Sequence, residues 1–502
     1  MDMGVWIQKC EEVVDQRDKR LPPTWCEKAS DGRYLAEAGH EVYESGKRRE
    51  MADRALELLG RAQEIAIVCS FLLADKAIED ALEQAASRGV RVYVLLASEA
   101  RLKQEPRDGE FEKQVREQHE SLLKRLGGLV MFRSAANFHA KLVLVDPYTK
   151  PDGMLLTANL TTDALQRNEE IGVALTPDEA FRAFEYLRWA IWEAAEHQML
   201  DNSRFVPVKP LGEIDHPSGT GRVLVTTAQE QSIKVQCLRL IEQAESKILI
   251  SSFGWDKEGD LVKTLCRRAR DGLDVVVLAR QRPASMPALI ELARSGAKVF
   301  GFKWLHAKAI WTDRKEGVVM SANFQAEGLD HGFELGVALD AARAESLCQR
   351  LMAWKQAASW QLLVSPVLGE LQGQIKVWDE KKFVDATIES ELEQKLDRVT
   401  ADSADRLECT RPGIPVSAPF PAFAHQVRYV WEVVAPELKS GSKPYPSEKQ
   451  KKKATKATEL PVYEEPGKRR VVCVKSSEEL QVAQRLMQQV KAQAIVVDKR
   501  PR

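Results

Sequence analysis

The pattern of apolar and polar positions alternates between short apolar runs and amphipathic stretches. Continuous apolar runs at 65–71 and 90–96 have the length and the β-branched content of buried strands. Stretches near 47–62 and 76–88 instead repeat their apolar residues with the helical period. This alternation of strands and helices predicts an α/β layer with a mainly parallel sheet. A further helix and strand are predicted near 108–126 and 129–132.

The same order of elements recurs in the second part of the chain. Its strands and helices are predicted at 247–253, 258–271, 273–278, 285–295 and 297–300. A long helical pattern near 177–200 and a connection rich in Pro and Gly separate the two parts. A duplicated α/β unit is the simplest explanation, with halves at 46–205 and 206–365.

Four flanking segments differ from the duplicated halves. Residues 1–45 form an N-terminal extension with a short helical pattern, and residues 366–438 form a helical and Pro-rich extension with a charged helix near 379–399. Residues 439–469 are predicted to be a basic flexible linker, because 439–456 holds seven lysines against one glutamate and few apolar residues. Residues 470–502 form a βαβ-like segment with its helix near 477–492.

Composition indicates a globular protein with no overall attraction to phosphate-rich partners. The 502 residues are 44% hydrophobic and 29% charged, and the formal net charge is −1. The N-terminus lacks a basic segment followed by an apolar one, and no run of 18 apolar residues occurs. We therefore expect a cytoplasmic protein without a stable membrane anchor. The eight cysteines include no Cys-x-x-Cys pair, which predicts reduced thiols and no zinc site.

A short motif of His, Lys and Asp occurs once in each half. The first copy is His139, Lys141 and Asp146, and the second is His306, Lys308 and Asp313. The offset 306 − 139 is 167, and the other two pairs give the same value. Residues two apart on a strand point to the same face, so each copy places an imidazole beside an ammonium. One chance match would be weak evidence, whereas two matches with aligned neighbours indicate a duplicated site.

Matched polar residues follow each motif at a second constant offset. Thr157, Asn159 and Glu170 follow the first motif, and Ser321, Asn323 and Glu334 follow the second. The offset 321 − 157 is 164, so the first copy carries three additional residues before its hydroxyl (167 − 164). Hydroxyl and amide groups can bind phosphate oxygens, and a carboxylate can orient an imidazole.

The two motifs and the repeat around them resemble the phospholipase D superfamily, whose signature is a pair of HKD motifs. The resemblance covers residues 45–365 and departs from the family pattern at three positions. Leu156 and Met320 stand where a Gly usually precedes Ser-x-Asn, and Thr157 replaces the Ser of the first copy. Thr keeps the hydroxyl, so we expect the first site to remain functional. The resemblance implies two phospholipase D-like halves, each a mixed, mainly parallel sheet flanked by helices, plus a small C-terminal extension.

Two histidines from related halves suit phosphodiester chemistry, which needs a nucleophile on one side of phosphorus and a proton donor on the other. The resemblance implies that His139 forms a phosphohistidine, while His306 protonates the leaving oxygen and then activates water. It also implies that Asp146 and Asp313 are structural. No metal or other cofactor is required in this family.

The remaining motif residues would stabilise the reacting groups. Positive charge and hydrogen bonds to the nonbridging oxygens would come from Lys141, Lys308, Asn159, Asn323, Thr157 and Ser321. Glu170 and Glu334 are placed to orient the imidazoles. Beside the motifs, Phe138, Lys303, Trp304 and Arg280 would form a stacking and phosphate-binding rim. Ordinary packing or a solvated surface explains these four equally well, and the sequence leaves both interpretations open.

Nucleic acid and phospholipid are both substrates that such a site can cleave. The sequence shows none of the apolar loops or amphipathic stretches by which lipid-acting members meet a bilayer, and the lysines of 439–456 would attract phosphates. We therefore predict a nuclease acting on DNA or RNA, in DNA repair or in defence against foreign DNA. Phospholipase or transphosphatidylase activity is one alternative, and a catalytically inactive binding scaffold is another.

Partner proteins are predicted only by analogy with bacterial nucleases of this superfamily, which often work with a helicase or ATPase. The chain has no G-x-x-x-x-G-K-[ST] loop, so any ATP-driven step would need such a separate partner. A homodimer is also compatible with the sequence.

Overall fold

The computed structural model describes the two motif-bearing halves and several strands near the termini. The described residues are 8–14, 20–28, 41–46, 48–98, 102, 109–200, 204–218, 221–388, 426–433, 462–465, 469–474 and 496–499. The chain forms two compact units: residues 1–27 with 363–502 make up one, and residues 28–362 make up the other. Both motifs lie in the second unit.

The first half is built on a nine-stranded mixed sheet. Its strands lie in the order Arg204–Pro207, His197–Leu200, Met131–Ala135, Arg91–Ala97, Ile65–Cys69, Leu142–Val145, Asp152–Leu156, Ile171–Leu175 and Val42–Glu44. Leu73–Ala74 and Leu160–Thr161 form a separate parallel pair. The helices are Glu50–Arg61, Lys76–Ser87, Gly109–Leu126, Thr162–Gln166 and Pro177–Trp189, the last continuing as a π-helix at Ala190–Ala194.

The second half repeats this plan. Its strands lie in the order Val223–Thr226, Glu334–Ala338, Glu316–Met320, Ala309–Thr312, Lys247–Ser252, Asp274–Arg280, Lys298–Phe302 and Trp360–Leu363. The α-helices are Ser232–Gln243, Asp260–Arg270, Met286–Arg294 and Ala341–Ala357, with a 3-10 turn at Pro283–Ser285 and a π-helix at Glu327–His331. The predicted duplicated α/β architecture is confirmed.

The parallel part of each sheet is smaller than the strand and helix alternation predicted. In the main sheet of each half, three of the described strands pair in parallel: Ile65–Cys69, Arg91–Ala97 and Met131–Ala135 in the first and their counterparts in the second. The remaining strands pair antiparallel, because the segment after each motif returns as a meander of short strands instead of crossing over through a helix.

Burial on both faces explains the continuous apolar runs of the central strands. In Ile65–Cys69, residues Ala66 and Val68 pack among the helices on one face. Ile65, Ile67 and Cys69 face the opposite way, into a core that also contains Leu249 and Leu278 of the second half. The two halves therefore share one hydrophobic core, which holds the two motifs in a common framework.

A buried ion pair also connects the halves. Helix Pro177–Trp189 begins with a capping box, in which Thr176 and Glu179 exchange side-chain and backbone hydrogen bonds. Glu179 additionally accepts two hydrogen bonds, of 2.8 and 2.6 Å, from Arg343 of helix Ala341–Ala357. Both side chains are buried, so losing Arg343 would leave the charge of Glu179 uncompensated and loosen the junction of the halves.

The other unit contains two groups of strands. Gln8–Val14 pairs antiparallel with Gln426–Val433 and parallel with Val496–Lys499, and Arg469–Val474 joins Gln426–Val433 to Val462–Glu465. Separately, Thr24–Glu27, Gly373–Trp378 and Phe383–Ile388 form an antiparallel group, with a 3-10 turn at Leu368–Glu370.

Several predicted elements differ from the structure. The helical pattern within 1–45 is the strand Gln8–Val14, and the charged helix near 379–399 begins as the strand Phe383–Ile388. The helix near 177–200 ends earlier, and His197–Leu200 is a strand. Within the predicted linker 439–469, Val462–Glu465 is a strand. The basic segment 439–456, the Pro-rich stretch 412–421 and the helix near 477–492 lie outside the described residues.

Candidate active site

The two motif histidines are each held by a carboxylate of the opposite half. His139 Nδ1 lies 2.6 Å from Glu334 Oε1, and His306 Nδ1 lies 2.7 Å from Glu170 Oε1. Both carboxylates are buried, whereas the histidine side chains retain 25% and 13% exposure. Each Nδ1–H therefore donates to a carboxylate, which leaves Nε2 as the nitrogen available for chemistry.

Backbone hydrogen bonds repeat this exchange between the halves. The amides of His139 and Ala140 both donate to the Phe333 carbonyl, at 3.1 and 2.9 Å. The amides of His306 and Ala307 donate in the same way to the Glu169 carbonyl, at 3.0 and 2.9 Å. The start of each motif is thus hydrogen-bonded to the residue that precedes the carboxylate of the opposite half. These bonds hold each imidazole beside its carboxylate.

A buried hydroxyl donates a hydrogen bond to each carboxylate. Thr157 Oγ1 donates a 2.6 Å hydrogen bond to Glu170 Oε2 and accepts one from the Ile171 amide. Ser321 makes the corresponding pair of bonds to Glu334 and the Leu335 amide. The Thr157 hydroxyl therefore makes the same contacts as the Ser321 hydroxyl.

The two lysines lie fully buried beneath the histidines. Lys141 Nζ donates to the His139 carbonyl at 2.6 Å, and Lys308 Nζ donates to the His306 carbonyl at the same distance. Lys308 Nζ also lies 2.8 and 3.0 Å from the two ring nitrogens of His306, and it contacts the Thr157 carbonyl at 3.4 Å. Burial lowers the pKa of Lys308 well below its usual value, with Glu170 opposing the shift.

Burial keeps both imidazoles neutral. It lowers the pKa of His306 to about 3, against the opposing charge of Glu170, and it also lowers the pKa of His139, against Glu334. The charges of both lysines also lower the pKa of each histidine, so the two motifs form one electrostatic site. Burial alone would raise the pKa of Glu170 and Glu334, but the facing imidazole and the lysine lower both. The site thus pairs neutral imidazoles with ionised carboxylates.

The motif aspartates bind backbone amides away from the imidazoles. Asp146 accepts hydrogen bonds from the amides of Gln63, Glu64 and Ile65 at 2.8 to 3.1 Å. Asp313 accepts from the amides of Glu245 and Ser246. Both aspartates therefore cap the start of the central strand of their half, a geometry that supports the structural role implied by the resemblance.

The matched asparagines have an unused hydrogen-bonding atom. The Oδ1 atoms of Asn159 and Asn323 are buried and have no partner among the described residues. A buried polar atom without a partner is uncommon, and the amide oxygen and nitrogen can exchange places by a flip. Either orientation lets the amide bond a ligand, in keeping with the predicted contact to phosphate oxygens.

The two departures from the family's Gly are accommodated by glycine on the neighbouring strand. Leu156 pairs with Gly172, and Met320 pairs with Gly336. A Cβ added to Gly336 would lie 3.2 Å from the Met320 Cβ, so the glycine provides the room that the larger side chain needs. Neither Leu156 nor Met320 is exposed, and they belong to the core.

The four predicted rim residues divide into two groups. Phe138 is 1% exposed and packs against Phe333, with ring centroids 5.4 Å apart, so its ring has no face for a substrate. Lys303 Nζ lies 5.0 Å from the Trp304 ring, and Arg280 lies 5.2 Å from it. The structure therefore gathers Lys303, Trp304 and Arg280 beside His306 and places Phe138 in the core.

Four residues near the site were not predicted from the motifs. The Phe253 ring lies 4.7 Å from the His306 ring, and Phe71 lies 5.3 Å from His139 in the equivalent position. Arg167 of the first half covers the Trp304 ring at 3.9 Å. Glu169 precedes the carboxylate that holds His306, and its Oε2 is buried without a partner among the described residues. Only the phenylalanines had a signal, as matched positions of the repeat.

Metal sites and membrane helices were sought within the described ranges. There, no group of three or more His, Cys, Asp or Glu side chains is arranged to hold a metal ion. No helix in the same ranges is both long and apolar enough to cross a bilayer.

Several known proteins are similar to this chain. Cardiolipin synthase A of Edwardsiella ictaluri (strain 93-146) is 23% identical over 287 residues, which are 53% of this chain and 58% of that protein. The chain thus spans less than two thirds of this curated relative. Phosphatidylserine synthase of Haemophilus influenzae Rd KW20 is 12% identical with a TM-score of 0.48, covering 71% of this chain and 92% of that one. Nuc of Salmonella typhimurium is 26% identical with a TM-score of 0.24, covering 27% and 94%.

A family profile matches both halves and coincides with the two motifs. It is described as "Cardiolipin synthase, PLD-like domain" and matches residues 55–192 and 237–355. The first range contains His139, Lys141, Asn159 and Glu170, and the second contains His306, Lys308, Asn323 and Glu334. The predicted phospholipase D superfamily and its phosphodiesterase class of enzyme are confirmed. The chain belongs to the family described as Cardiolipin synthase, PLD-like domain.

Proposed function

We propose that this chain cleaves or transfers a phosphodiester through a covalent phosphohistidine. The observation that carries the proposal is the reciprocal pairing of His139 with Glu334 and of His306 with Glu170. This pairing gives two imidazoles that each bind a carboxylate through Nδ1, so that Nε2 can react while the carboxylate stabilises the imidazolium form. One imidazole can attack phosphorus while the other transfers a proton.

The reaction balances with two proton transfers. Nε2 of the nucleophilic histidine forms a bond to phosphorus as the bond from phosphorus to the leaving oxygen breaks, and the second histidine, protonated, gives its proton to that oxygen. The second histidine then takes a proton from water or an alcohol, whose oxygen attacks phosphorus and breaks the phosphorus–nitrogen bond. Water gives hydrolysis, and an alcohol gives transfer.

The lowered histidine pKa values fit the first step and set a condition for the proton donor. A neutral imidazole has the free lone pair that a nucleophile needs. The proton donor must be charged, and the negative phosphate of a bound substrate favours that charge in the same way that Glu170 and Glu334 do. We therefore infer that the donor gains its proton together with the substrate.

A phospholipid is the substrate class that we propose. Support comes from the description of the family and from the name of the relative from Edwardsiella ictaluri. The sequence-based prediction of a nuclease rested partly on the lack of recognisable membrane-binding segments, which is weaker support than a matching family. The sequence favoured nucleic acid over phospholipid as the substrate, and this proposal reverses that preference.

Nucleic acid is the second candidate, because cations and aromatic rings gather beside His306. Trp304 and its neighbouring arginines are the residue types that stack bases and bind phosphates. A helicase or ATPase partner and a role in repair or defence belong to this candidate alone.

The test is a direct comparison of substrates in the presence of excess EDTA. Purified protein would be incubated with labelled phospholipid vesicles, single-stranded DNA, duplex DNA and RNA. We expect release or transfer of the lipid headgroup, its loss in His139→Asn, and its retention in His331→Asn, which alters an exposed histidine outside the motifs. Equal turnover in the wild type and His139→Asn would indicate a binding scaffold, and cleavage of nucleic acid alone would replace the lipid proposal.

A further inference from the structure

Glu169 is a largely buried carboxyl beside the groups that hold His306. Its Oε2 atom is shielded from solvent and has no hydrogen-bond partner in the described part of the chain. Burying an ionised carboxylate without a partner is costly, and the protonated form avoids that cost. Burial accordingly raises the pKa of Glu169 to about 7, although its own backbone amide opposes the shift. The carboxyl is therefore mainly protonated at pH 6 and mainly ionised at pH 8.

The backbone of Glu169 joins this carboxyl to the segment that carries His306. Its carbonyl accepts hydrogen bonds from the amides of His306 and Ala307, at 3.0 and 2.9 Å, and Glu169 forms a parallel bridge with Leu305. The next residue, Glu170, binds Nδ1 of His306 at 2.7 Å. Two consecutive glutamates thus contact one histidine segment, the first through its backbone and the second through its side chain.

The charged groups that act on the Glu169 carboxyl come from its own segment and from neighbouring strands. The charges of Glu170 and Glu44 raise its pKa, and the charge of Arg280 lowers it. Glu44 is bound by the Arg350 guanidinium at 2.7 Å, a contact that does not involve the catalytic groups. Glu170 is the member of this set that also binds His306, so a change in the charge of His306 reaches Glu169 through Glu170.

Glu170 therefore links the proton of Glu169 to the charge of His306. While the imidazole is neutral, ionisation of Glu169 would place a second negative charge beside Glu170, which favours the protonated form of Glu169. Once the imidazole is charged, it compensates Glu170, and the repulsion that keeps the proton on Glu169 decreases. Lys308 and Lys141 both lower the pKa of His306, so an additional negative charge nearby favours formation of the imidazolium.

The equivalent position beside the other motif has no titratable group. The offset 333 − 169 is 164, and the Phe333 carbonyl accepts hydrogen bonds from the amides of His139 and Ala140 just as Glu169 does for the second motif. Phe333 is 1% exposed. An apolar side chain thus supports the same backbone contact, so that contact does not require the carboxyl of Glu169.

We propose that Glu169 is a positioning residue for His306, which carries a proton while the imidazole is neutral and releases it when a bound phosphodiester charges the imidazole. One proton leaves the Glu169 carboxyl as one proton is taken up by Nε2 of His306, with solvent as the carrier. The ionised carboxyl then adds to the negative charge that stabilises the imidazolium. The inference rests on the proposed function for the role of His306 as proton donor, but the linked protonation can be measured without turnover.

The test counts the protons that the full chain takes up when it binds diethyl phosphate, a phosphodiester that does not itself titrate near neutral pH. Titration calorimetry in two buffers of different ionisation enthalpy gives this number. At pH 6, Glu169→Gln has no carboxyl proton to release, so we expect it to take up about half a proton more than the wild type. At pH 8, where Glu169 is already ionised, the wild type should take up at least as many protons as the variant.

Three further variants separate the ionisation of Glu169 from its shape and from direct contact with the ligand. Glu169→Asp keeps a titratable carboxyl and should keep part of the proton release. Glu120→Gln removes an exposed carboxyl of the same half and should take up as many protons as the wild type. In a His306→Gln background no imidazolium forms, so adding Glu169→Gln should leave proton uptake at pH 6 unchanged.

Equal proton uptake by the wild type and Glu169→Gln at pH 6 would overturn the inference. So would a difference that persists in the His306→Gln background, because Glu169 would then respond to the ligand and not to the imidazole. The expected proton numbers without any phosphodiester turnover would uphold the linkage and contradict the proposed function. Turnover of phospholipid with equal proton uptake in the two proteins would do the reverse.

Discussion

The two halves of the site contain the same reacting groups in different surroundings. Beside His139, Phe138 packs against Phe333, whereas Leu305 and Glu169 occupy the equivalent positions beside His306. Matched hydrogen bonds hold the histidines, hydroxyls and carboxylates in both halves, because the chemistry requires one geometry. The surrounding positions do not carry that constraint and have diverged. A symmetric catalytic core can therefore have two unequal sides, because Glu169 can titrate whereas Phe333 cannot.

The largest expected effect comes from removing one histidine, and it would show whether the reacting groups are equivalent. His139→Ala and His306→Ala should each reduce turnover by about 10³-fold or more, since each removes a covalent or proton-transfer role. With His139 as the nucleophile, His306→Ala should accumulate a phosphohistidine when the leaving group is good, and His139→Ala should form none. Acid-quenched trapping with labelled substrate measures this difference.

The close contact of Lys308 with the His306 ring bears on which of the two histidines is the nucleophile. Lys308 Nζ lies 2.8 and 3.0 Å from the two ring nitrogens of His306. A neighbouring ammonium disfavours protonation of His306, which would suit a nucleophile better than an acid. Label recovered on a His306 peptide, and absent from His139, would reverse the assigned roles.

The second effect tests the exchange of carboxylates between the halves. Glu334→Gln should impair His139, and Glu170→Gln should impair His306, each lowering kcat by about 10² to 10⁴-fold because the amide cannot stabilise an imidazolium. The informative measurement is again trapping: Glu334→Gln should reproduce the trapping result of the His139 variant although it lies in the other half. Glu327→Gln, at an exposed position of the same half, is the matched control. If Glu334→Gln instead behaved like a His306 variant, the crossed pairing would be wrong.

The reacting residues could be predicted from sequence because phosphodiester chemistry needs particular side chains at fixed spacing. The crossed partners could not, since His139 and Glu334 are 195 residues apart and either carboxylate could have served either histidine. Glu169 gave no signal, because a glutamate beside another glutamate is typical of a solvated surface. The strand Phe383–Ile388 was missed although Val384, Ala386 and Ile388 are buried in alternation. The charged residues that follow this strand suggested a helix, so the alternation of buried and exposed positions was not recognised.

The third prediction uses Glu169, whose counterpart Phe333 cannot titrate. Its pKa is raised from 4.5 to about 7 by burial, so the protonated form is favoured in the folded state. Its contribution to stability is complete below pH 4.5 and is lost as the pH rises through about 7. Relative to Glu169→Gln, the wild type should lose up to about 3 kcal/mol over that interval. Thermal unfolding of both proteins between pH 5 and 8 measures the difference.

An exposed glutamate provides the control for that pH dependence. Glu258→Gln, introduced into both the wild type and Glu169→Gln, should leave the pH dependence of their stability difference unchanged. Glu258 is a surface residue of the second half. A stability difference between wild type and Glu169→Gln that does not change with pH would show that the carboxyl titrates normally and that the two halves do not differ in this respect.

The smallest effect is expected from making the two hydroxyl positions identical. Thr157→Ser keeps the donor to Glu170 Oε2 and removes one buried methyl group, so turnover should change by less than about threefold and stability by about 1 kcal/mol. Thr157→Val keeps the shape and removes the donor, which leaves a buried carboxylate oxygen without its hydrogen bond and should lower turnover tenfold or more. Steady-state kinetics of the two variants, each with its unfolding midpoint, separate the hydroxyl from the methyl. If Thr157→Ser lost as much activity as Thr157→Val, the methyl group would be the important part of Thr157, and the first half would depend on packing where the second depends on a hydrogen bond.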